Sequence, residues 1–382
     1  MTTPTAALGD LIRPAKVRRA GSGNFPILSM TMHDGLVDQA TKFKKRVAST
    51  DTSQYKVVAR KQLVVGFPID EGVLSVQDLY PEAIVSPAYN VWDIEEGVDA
   101  AYLEKYLRSI PALEFYASKL RGTTARRRTL PTDVFLSLPV PLPSAYEQRR
   151  ISDILDRADG LCAKRRESSA LVNNLAESTF LDMFGDPATN PRGLPLVALG
   201  DLGFWSSGGT PSRSRADYFV GAIPWFSSGE LGDLHVTDSA EHIGPLALKE
   251  TSAKMVPVGS ILLGMYDTAA LKSSIASIGC SCNQAIAFAR VDEQLADTYF
   301  VYYAVQVAKD HFRRLQRGIR QKNLNLSMIR DIRIPLPSLE RQQEFAQRVL
   351  QIEEIKDASR SSAAETRSLA ETLAHRAFGG QL

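Results

Sequence analysis

Val140-Pro141-Leu142-Pro143-Ser144, followed by Gln148, opens a long stretch of helical character, and Ile334-Pro335-Leu336-Pro337-Ser338, followed by Gln342, opens a second one. Gln342 lies 194 residues after Gln148, and the same offset carries Leu175-Ala176-Glu177 to Leu369-Ala370-Glu371 and Phe184-Gly185 to Phe378-Gly379. The two segments therefore match without a gap. Pro141 and Pro143 fix an extended lead-in, because proline restrains its own φ and the residue before it. Ser144 is placed to cap a helix, and Glu147 three residues on completes a capping-box pattern. From there to Met183 no proline occurs and Gly160 is the only glycine.

Along the first stretch Ile151, Leu155, Ala158, Cys162, Val172, Ala176 and Met183 fall at spacings of three and four, with Arg165 and Ser169 interrupting. Phe345, Val349, Ile352, Ala363, Ala370, Leu373 and Ala377 repeat the pattern, with Lys356 and Ser359 interrupting. Both stripes are apolar at the ends and polar in the middle. A helix of roughly 35 residues is about 50 Å long, too long for burial in a small domain. Two such seams related by a twofold predict helices packed as an antiparallel coiled coil.

The repeat extends beyond the helices. Ala7-Leu8-Gly9-Asp10-Leu11 returns as Ala198-Leu199-Gly200-Asp201-Leu202, and Gln62–Gly66 matches Ser260–Gly264. Tyr89–Trp92 aligns with Ala285–Phe288 as strands, and the helical spacing of 100–116 aligns with Thr298–Val307. The expected fold is α+β: two globular mixed α/β domains with pseudo-twofold symmetry, joined by the long helices. Boundaries fall at 1–140, 141–185, 186–334 (with 186–197 as linker) and 335–382. Phe184-Gly185-Asp186-Pro187 through Asn190-Pro191-Arg192-Gly193 is dense in helix stoppers and turn formers and marks the junction.

Composition sets the class. At 382 residues, with 44% hydrophobic and 23% charged residues and a net charge of +2, the chain reads as an ordinary globular protein. The N-terminus shows no signal-peptide pattern, no run is apolar enough to span a bilayer, and three cysteines are too few for a disulfide scaffold. A reduced, cytoplasmic protein without membrane association is expected. Cys280 and Cys282 read as buried strand residues rather than half a metal site. No Walker A loop, Rossmann G-x-G-x-x-G, Asn-Pro-Pro-aromatic tetrapeptide, H-E-x-x-H or G-x-S-x-G is present, so no catalytic residues, cofactor or metal are expected. Trp205 and Trp225 read as core.

Charge clusters are more informative than net charge. Arg313, Arg314, Arg317, Arg320 and Lys322 give five basic residues in ten without an acid, and Lys119, Arg121, Arg126, Arg127 and Arg128 do the same in the first half. Both runs lie just upstream of a Pro-Leu-Pro element, and both contain Arg-Gly, as Arg121-Gly122 and Arg317-Gly318. Arginine forks bind phosphate or guanine edges, glycine admits close backbone approach, and Gln321 and Asn323 are side-chain types that read adenine. Lys44 and Lys45 add positive charge to the first half, Arg213 and Arg215 to the second. Equivalent runs in a duplicated unit point to double-stranded DNA.

These residues together resemble the specificity subunit of type I restriction–modification systems, over essentially the whole chain. The resemblance rests on the twofold Pro-Leu-Pro…Gln element, on Phe184-Gly185-Asp186-Pro187…Asn190-Pro191, and on Leu199-Gly200-Asp201 with Gly208-Gly209-Thr210-Pro211 and Ile223-Pro224-Trp225. It implies a non-enzymatic DNA reader with two target-recognition domains, each reading one half of a bipartite, asymmetric site. The paired helices would set the gap between half-sites and dock two methyltransferase (modification) subunits, with restriction (translocase/nuclease) subunits completing the complex. The first half departs from the pattern, since Leu8-Gly9-Asp10 leads into Arg13–Arg19 rather than a Gly-Gly-Thr-Pro match, which implies a trimmed or different loop set. Two readings compete: a protein–protein adaptor that binds no DNA, and a self-contained DNA methyltransferase or nuclease.

Overall fold

The computed structural model describes residues 3–32, 34–42, 51–120, 130–266, 270–314 and 323–382. The chain divides into two compact units, one of residues 1–166 and 362–382, the other of residues 167–361. Both mix helices with largely antiparallel sheet.

In the first unit a four-stranded antiparallel sheet runs in the order Ile12–Pro14, Asn90–Ile94, Leu63–Val65, Leu74–Val76. Leu63-Val64-Val65 is apolar throughout, with two β-branched valines, because the strand is covered on both faces. Leu63 and Val65 pack with Leu103, Leu107 and Tyr116, and Val64 joins a separate cluster with Val58, Val85 and Leu36. The second unit repeats this device. Its sheet runs Gly203–Ser207, Ile286–Val291, Ile261–Gly264, Ser273–Ala276, and adds the strand His235–Val236. Ile261 and Leu263 pack with Phe300 and Val301 on one face, and Leu262 with Phe226 and Val256 on the other.

The ladders fix the correspondence between the halves. Leu63 stands opposite Trp92 and Ile261 opposite Ala289, so Gln62–Gly66 matches Ser260–Gly264 as the sequence suggests. The alignment of Tyr89–Trp92 with Ala285–Phe288 is off by one, because Ala289 occupies the place of Trp92. Side chains alternate along a strand, so a one-residue slip exchanges the faces. Trp92 and Ala289 face the helix-covered cores, whereas Phe288 packs on the other side.

Asp99 caps the helix Ala100–Leu107 by accepting from the backbone N–H of Tyr102 at 2.9 Å, and Asp297 caps Thr298–Val307 through Tyr299 and Phe300. The continuous helix expected over 100–116 is divided. The first helix stops at Arg108, and Ser109-Ile110-Pro111 starts a new one, Ile110–Lys119, because proline fits the opening turn but not an interior.

The first long stretch is likewise two helices, Ala145–Asn173 and Leu175–Phe184, parted at Asn174, whereas the second is unbroken from Leu339 to Phe378. Asn173-Asn174 places two poor helix formers in series, and the positions 194 residues on are Arg367 and Ser368. Ser144 caps the first helix through the N–H of Glu147 (3.3 Å), but the Glu147 carboxylate turns to Arg150 at 3.0 Å instead of closing a capping box. Within the first unit Ile151 and Leu155 pack with Ala377, Leu373 and Ala374, and the Cys162 thiol lies 3.8 Å from the Thr366 carbonyl. Within the second unit the hydroxyls of Ser169 and Ser359 are 2.8 Å apart, and Phe180 and Phe184 pack edge-on against Phe345. In each unit the paired segments run antiparallel, with burial at the ends and polar contacts toward the middle.

The junction after Phe184 is a fixed turn. Gly185 has φ +77° and a Cβ there would meet Pro191, while the Asn190 side chain bonds both the N–H and the carbonyl of Leu194. Residues 196–198, read as linker, form a strand paired with Arg333–Pro335. No helix among the described residues is long and apolar enough to cross a membrane.

Candidate nucleic-acid interface

A candidate interface needs a rigid frame, and each unit builds one from the repeated motif. Thr5–Ala7 pairs antiparallel with Pro139–Pro141, and Leu196–Ala198 with Arg333–Pro335. The Leu-Gly-Asp that follows each first strand forms a short 3-10 turn. A Cβ at Gly9 or Gly200 would lie a tight 3.3 or 3.1 Å from the Cβ of Leu136 or Arg330, which themselves stand 194 residues apart. At the head of each long helix is a buried glutamine, 1% exposed at Gln148 and fully buried at Gln342. Gln148 Oε1 accepts from the N–H of Asp99 at 2.8 Å and its Nε2 donates to the Pro143 carbonyl at 2.9 Å. Gln342 makes the same bonds to Asp297 and Pro337, both at 2.9 Å. The glutamine common to both copies of the repeat thus ties the cap of the domain helix to the start of the long helix.

The two basic runs occupy the same interval of this frame. Residues 121–129 lead from the helix Ile110–Lys119 to the short helix Thr132–Leu136, and 315–322 lead from Lys309–Arg314 to Leu326–Arg330. Arg121, Gly122, Arg126, Arg127, Arg128, Lys44 and Lys45 lie outside the described residues, as do Arg317, Gly318, Arg320, Gln321 and Lys322. Arg313 and Arg314 end the helix Lys309–Arg314, where cations also favour the helix dipole. Neither makes an ion pair among the described residues. Asn323 is half-buried and has a partner of its own.

Arg213 and Arg215 are held differently. Arg213 pairs with Glu241 and stacks over Phe219 (4.8 Å) and Trp225 (5.3 Å). Arg215 grips Asp217 with two bonds of 2.8 and 2.6 Å and lies over the Tyr218 ring. The Arg215 hydrogen bonds hold the Asp217 carboxyl below the usual carboxylate range. Each guanidinium is thus paired with an acid, Glu241 twenty-eight positions from Arg213 and Asp217 two positions from Arg215. Any DNA contact at these positions would share the arginine with its carboxylate.

Two cations were absent from the runs. Lys309 stands one turn before Arg313 and is half-buried, and Lys272 lies at the head of the strand Ser273–Ala276 with its amine 3.4 Å from the Gly229 carbonyl. Burial lowers the Lys309 pKa, and the charges of Arg313 and Lys272 lower it further. A sequence search passes over both, since Asp310 dilutes the first and apolar or hydroxyl residues surround the second.

The Gly-Gly of Gly208-Gly209-Thr210-Pro211 is a packing device. A Cβ at Gly208 would come within 2.1 Å of the Cys282 carbonyl oxygen and one at Gly209 within 2.4 Å of Ser252, and Trp225 Nε1 donates to the Gly209 carbonyl at 3.0 Å. Trp205 and Trp225 are core residues, 6% and 3% exposed. Cys280 and Cys282 are fully buried in one strand, and burial pushes the Cys280 thiol up to about 12. No group of three or more His, Cys, Asp or Glu among the described residues is arranged to hold a metal ion.

Comparison with known proteins places this frame. Residues 191–361 match the family model described as type I restriction modification DNA specificity domain. The chain is 25% identical over 222 residues to the EcoR124I/EcoR124II specificity subunit of Escherichia coli, a match spanning 55% of this chain and 54% of that one. It is 25% identical over 160 residues to the MjaIX specificity subunit of Methanocaldococcus jannaschii, across 41% of this chain and 37% of that one. The matches span about half the length of these relatives, or less. Among solved structures, a chain from a study of complex assembly and conformational transition of the type I R-M system superposes with a TM-score of 0.66 at 19% identity, covering 100% of this chain and 98% of that one. The type I S subunit from M. genitalium gives 0.58 at 12% identity, with 99% of each chain covered. The fold is shared over the whole length.

Proposed function

We propose that this chain, recognised as a type I restriction–modification specificity subunit and carrying the DNA specificity domain in residues 191–361, reads a bipartite, asymmetric site on double-stranded DNA. The observation that carries the proposal is the repeat itself. The frame of each unit, with its Pro-Leu-Pro strand, buried glutamine and capping aspartate, recurs in the same register, while the surfaces hung on it differ. Two equivalent frames with different surfaces suit a target of two unequal halves. In this reading the long helices pack as an antiparallel coiled coil, fix the gap between half-sites and dock two modification subunits, which supply methyl transfer, with restriction subunits joining the assembly.

DNA contact is assigned to the two basic runs, Arg121–Arg128 and Arg313–Asn323, with Lys44 and Lys45 assisting in the first half. Half or more of such contacts are ordinarily to the backbone, so these residues set register and affinity before they set sequence. Support for the assignment comes from their equivalent interval in both units and from the lack of acids within either run.

Sequencing of modified adenines in cells with and without this chain tests the proposal. Loss of one two-part motif on deletion is the expected result. An unchanged set of modified sites would overturn it.

A further inference from the structure

We propose that Lys16, Arg19 and Lys56 form a cationic strip of the first unit that holds the phosphate backbone of one DNA strand. The inference rests on the DNA-reading role proposed above and deepens it. The strip lies outside both basic runs, in and beside the stretch Arg13–Arg19 that stands where the second half has Gly-Gly-Thr-Pro.

The backbone carries it first. Between Asp10 and Asp34 the chain has no acidic residue, while Arg13, Lys16, Arg18 and Arg19 fall within seven positions. The segment is extended and fixed: Ala15 N–H donates to the Val91 carbonyl at 3.0 Å, and the N–H groups of Val57 and Ala20 to the Arg18 and Tyr55 carbonyls at 2.9 Å. Ala15 and Val17 pack against the core, and Lys16 between them is exposed, as is Arg19. Arg19 is bridged antiparallel to Lys56, so two like charges are direct cross-strand neighbours, an arrangement that costs stability. Burial lowers the Lys56 pKa, and the charge of Arg19 lowers it further. Two arginines of the stretch are already taken. Arg13 lies 3.8 Å from Asp93 and 3.6 Å from Glu95, and Arg18 donates to both Glu82 oxygens at 2.9 and 2.7 Å. Lys16, Arg19 and Lys56 make no ion pair among the described residues. Arg19 instead donates to the Gln54 carbonyl at 2.7 Å and Lys56 to the Tyr89 carbonyl at 2.5 Å, which orients both without cancelling their charge. A phosphate relieves the repulsion and takes the donors that remain. Lys16 and Arg19 stand about 10 Å apart along extended chain, so the strip spans two phosphates.

Placement is the second observation. Pro14 stands opposite Trp92 and Val65 opposite Asn90, so the strands Ile12–Pro14 and Leu63–Val65 finish at one end of their sheet. Tyr89, which holds the Lys56 amine, adjoins Asn90 at that end. A small cavity there is lined by Gly66, Asn90 and Trp92 and also by Leu130 and Thr132, where the chain returns from the first basic run. The strip and the run thus meet one end of the sheet. In the second unit Trp205, opposite Ala289, takes the place of Pro14, and the same offset of 191 puts Ser207 at Lys16 and Thr210 at Arg19. Between them Gly208 and Gly209 pack close against backbone. The frame is repeated as far as the first strand, and the charges that follow it are not. Charges that served only the shared scaffold would stand in both halves, whereas charges serving one half of an asymmetric target stand in one.

The test uses the full chain and a mixed-sequence DNA duplex, with binding followed by fluorescence anisotropy across a series of salt concentrations. Lys16→Gln/Arg19→Gln/Lys56→Gln is expected to lose about tenfold or more in affinity, and the slope of log K against log salt is expected to become shallower by about two, one for each phosphate. Arg19→Lys/Lys56→Arg, which keeps the charges, should keep the slope. Lys61→Asn removes an exposed cation from the opposite end of the same sheet and should leave both quantities unchanged. Circular dichroism reports folding. If the triple variant does not fold, Lys16→Gln/Arg19→Gln replaces it, with a shallower slope again expected. A folded variant with the wild-type slope overturns the inference while leaving the DNA-reading role intact. Wild-type chain with no salt-dependent binding at all overturns that role, and the inference with it. Inorganic phosphate at constant ionic strength should leave wild-type affinity unchanged; a fall to the affinity of the triple variant would mark a small-anion site and overturn the inference.

Discussion

The side chain of Gln342 accepts a hydrogen bond from the backbone N–H of Asp297 at 2.9 Å, with Gln342 fully buried. The same side chain donates to the Pro337 carbonyl, so one carboxamide joins the cap of a domain helix to the extended lead-in of the long helix. Gln342→Leu removes both partners at once and leaves a buried N–H and carbonyl unsatisfied, a cost of about 1–3 kcal/mol for each group left unpaired. The expected result is a lower melting temperature, by about 2–4 °C per kcal/mol for a unit of this size, measured by differential scanning calorimetry. Gln342→Glu, which keeps the acceptor, is expected to lose less at low pH than at neutral pH, where its charge would be buried.

Phe345 is fully buried and meets Phe180, Phe184 and Tyr303 at ring-centroid distances of 5.3 to 5.7 Å. Phe345→Ala is expected to cost about 3–5 kcal/mol. Urea denaturation followed by Trp205 and Trp225 fluorescence checks this. Phe378, its helix-mate at the other end, packs on Tyr102 and Tyr106 at 5.8 and 5.2 Å. Phe378→Ala should destabilise the first unit, and in a Trp92→Phe background, where only Trp205 and Trp225 report, the signal should be largely unmoved.

Burial pushes the pKa of Lys105 down, and hydrogen bonds to Asp159 and Asp156, each at 2.9 Å, more than reverse the shift. A raised folded pKa contributes stability that is fully present below the unfolded value of about 10.4 and is lost as pH rises through the folded value. Lys105→Met should therefore lower stability at neutral pH, and the gap between variant and wild type should close in alkali. Melting curves from neutral to strongly alkaline pH read the difference.

Cys280 and Cys282 are fully buried while Cys162 is partly exposed. With the Cys280 thiol pushed up to about 12 by burial, iodoacetamide at neutral pH should modify Cys162 alone in the folded chain and all three after unfolding, as counted by mass spectrometry.

Much of this was legible in the sequence, because the repeat includes residues with local backbone consequences. Pro141 and Pro335 dictate extended chain, and Ala7–Leu11 returns as Ala198–Leu202, so recurrence implied like structure, while the capping by Asp99 and Asp297 was not legible. Pairings across long separations were not legible. Arg213 finds Glu241 twenty-eight positions away, and Gln306 donates to the Leu271 carbonyl thirty-five positions back. The strand alignment that put Phe288 in the place of Trp92 failed because both neighbouring residues are apolar, and only the ladder distinguishes the two faces. The break at Asn174 was hidden by an otherwise continuous apolar spacing, in which Phe180 was also overlooked as core.

If the helices act as a spacer, a one-turn insertion in each, about four residues and about 6 Å, should widen the gap between half-sites by about two base pairs, at about 34 Å per ten. Insertion within 156–166 and 362–372, away from the buried ends, is the fitting place. Sequencing of modified adenines reads the gap directly.

The central claim, that each unit reads its own half of the site, is tested most directly by exchanging residues 203–325 for the corresponding segment of a known type I specificity subunit and sequencing the modified adenines in cells that supply modification subunits. The account predicts a motif in which one half is replaced while the other half and the gap persist. A motif altered in both halves, or altered in neither, would contradict it.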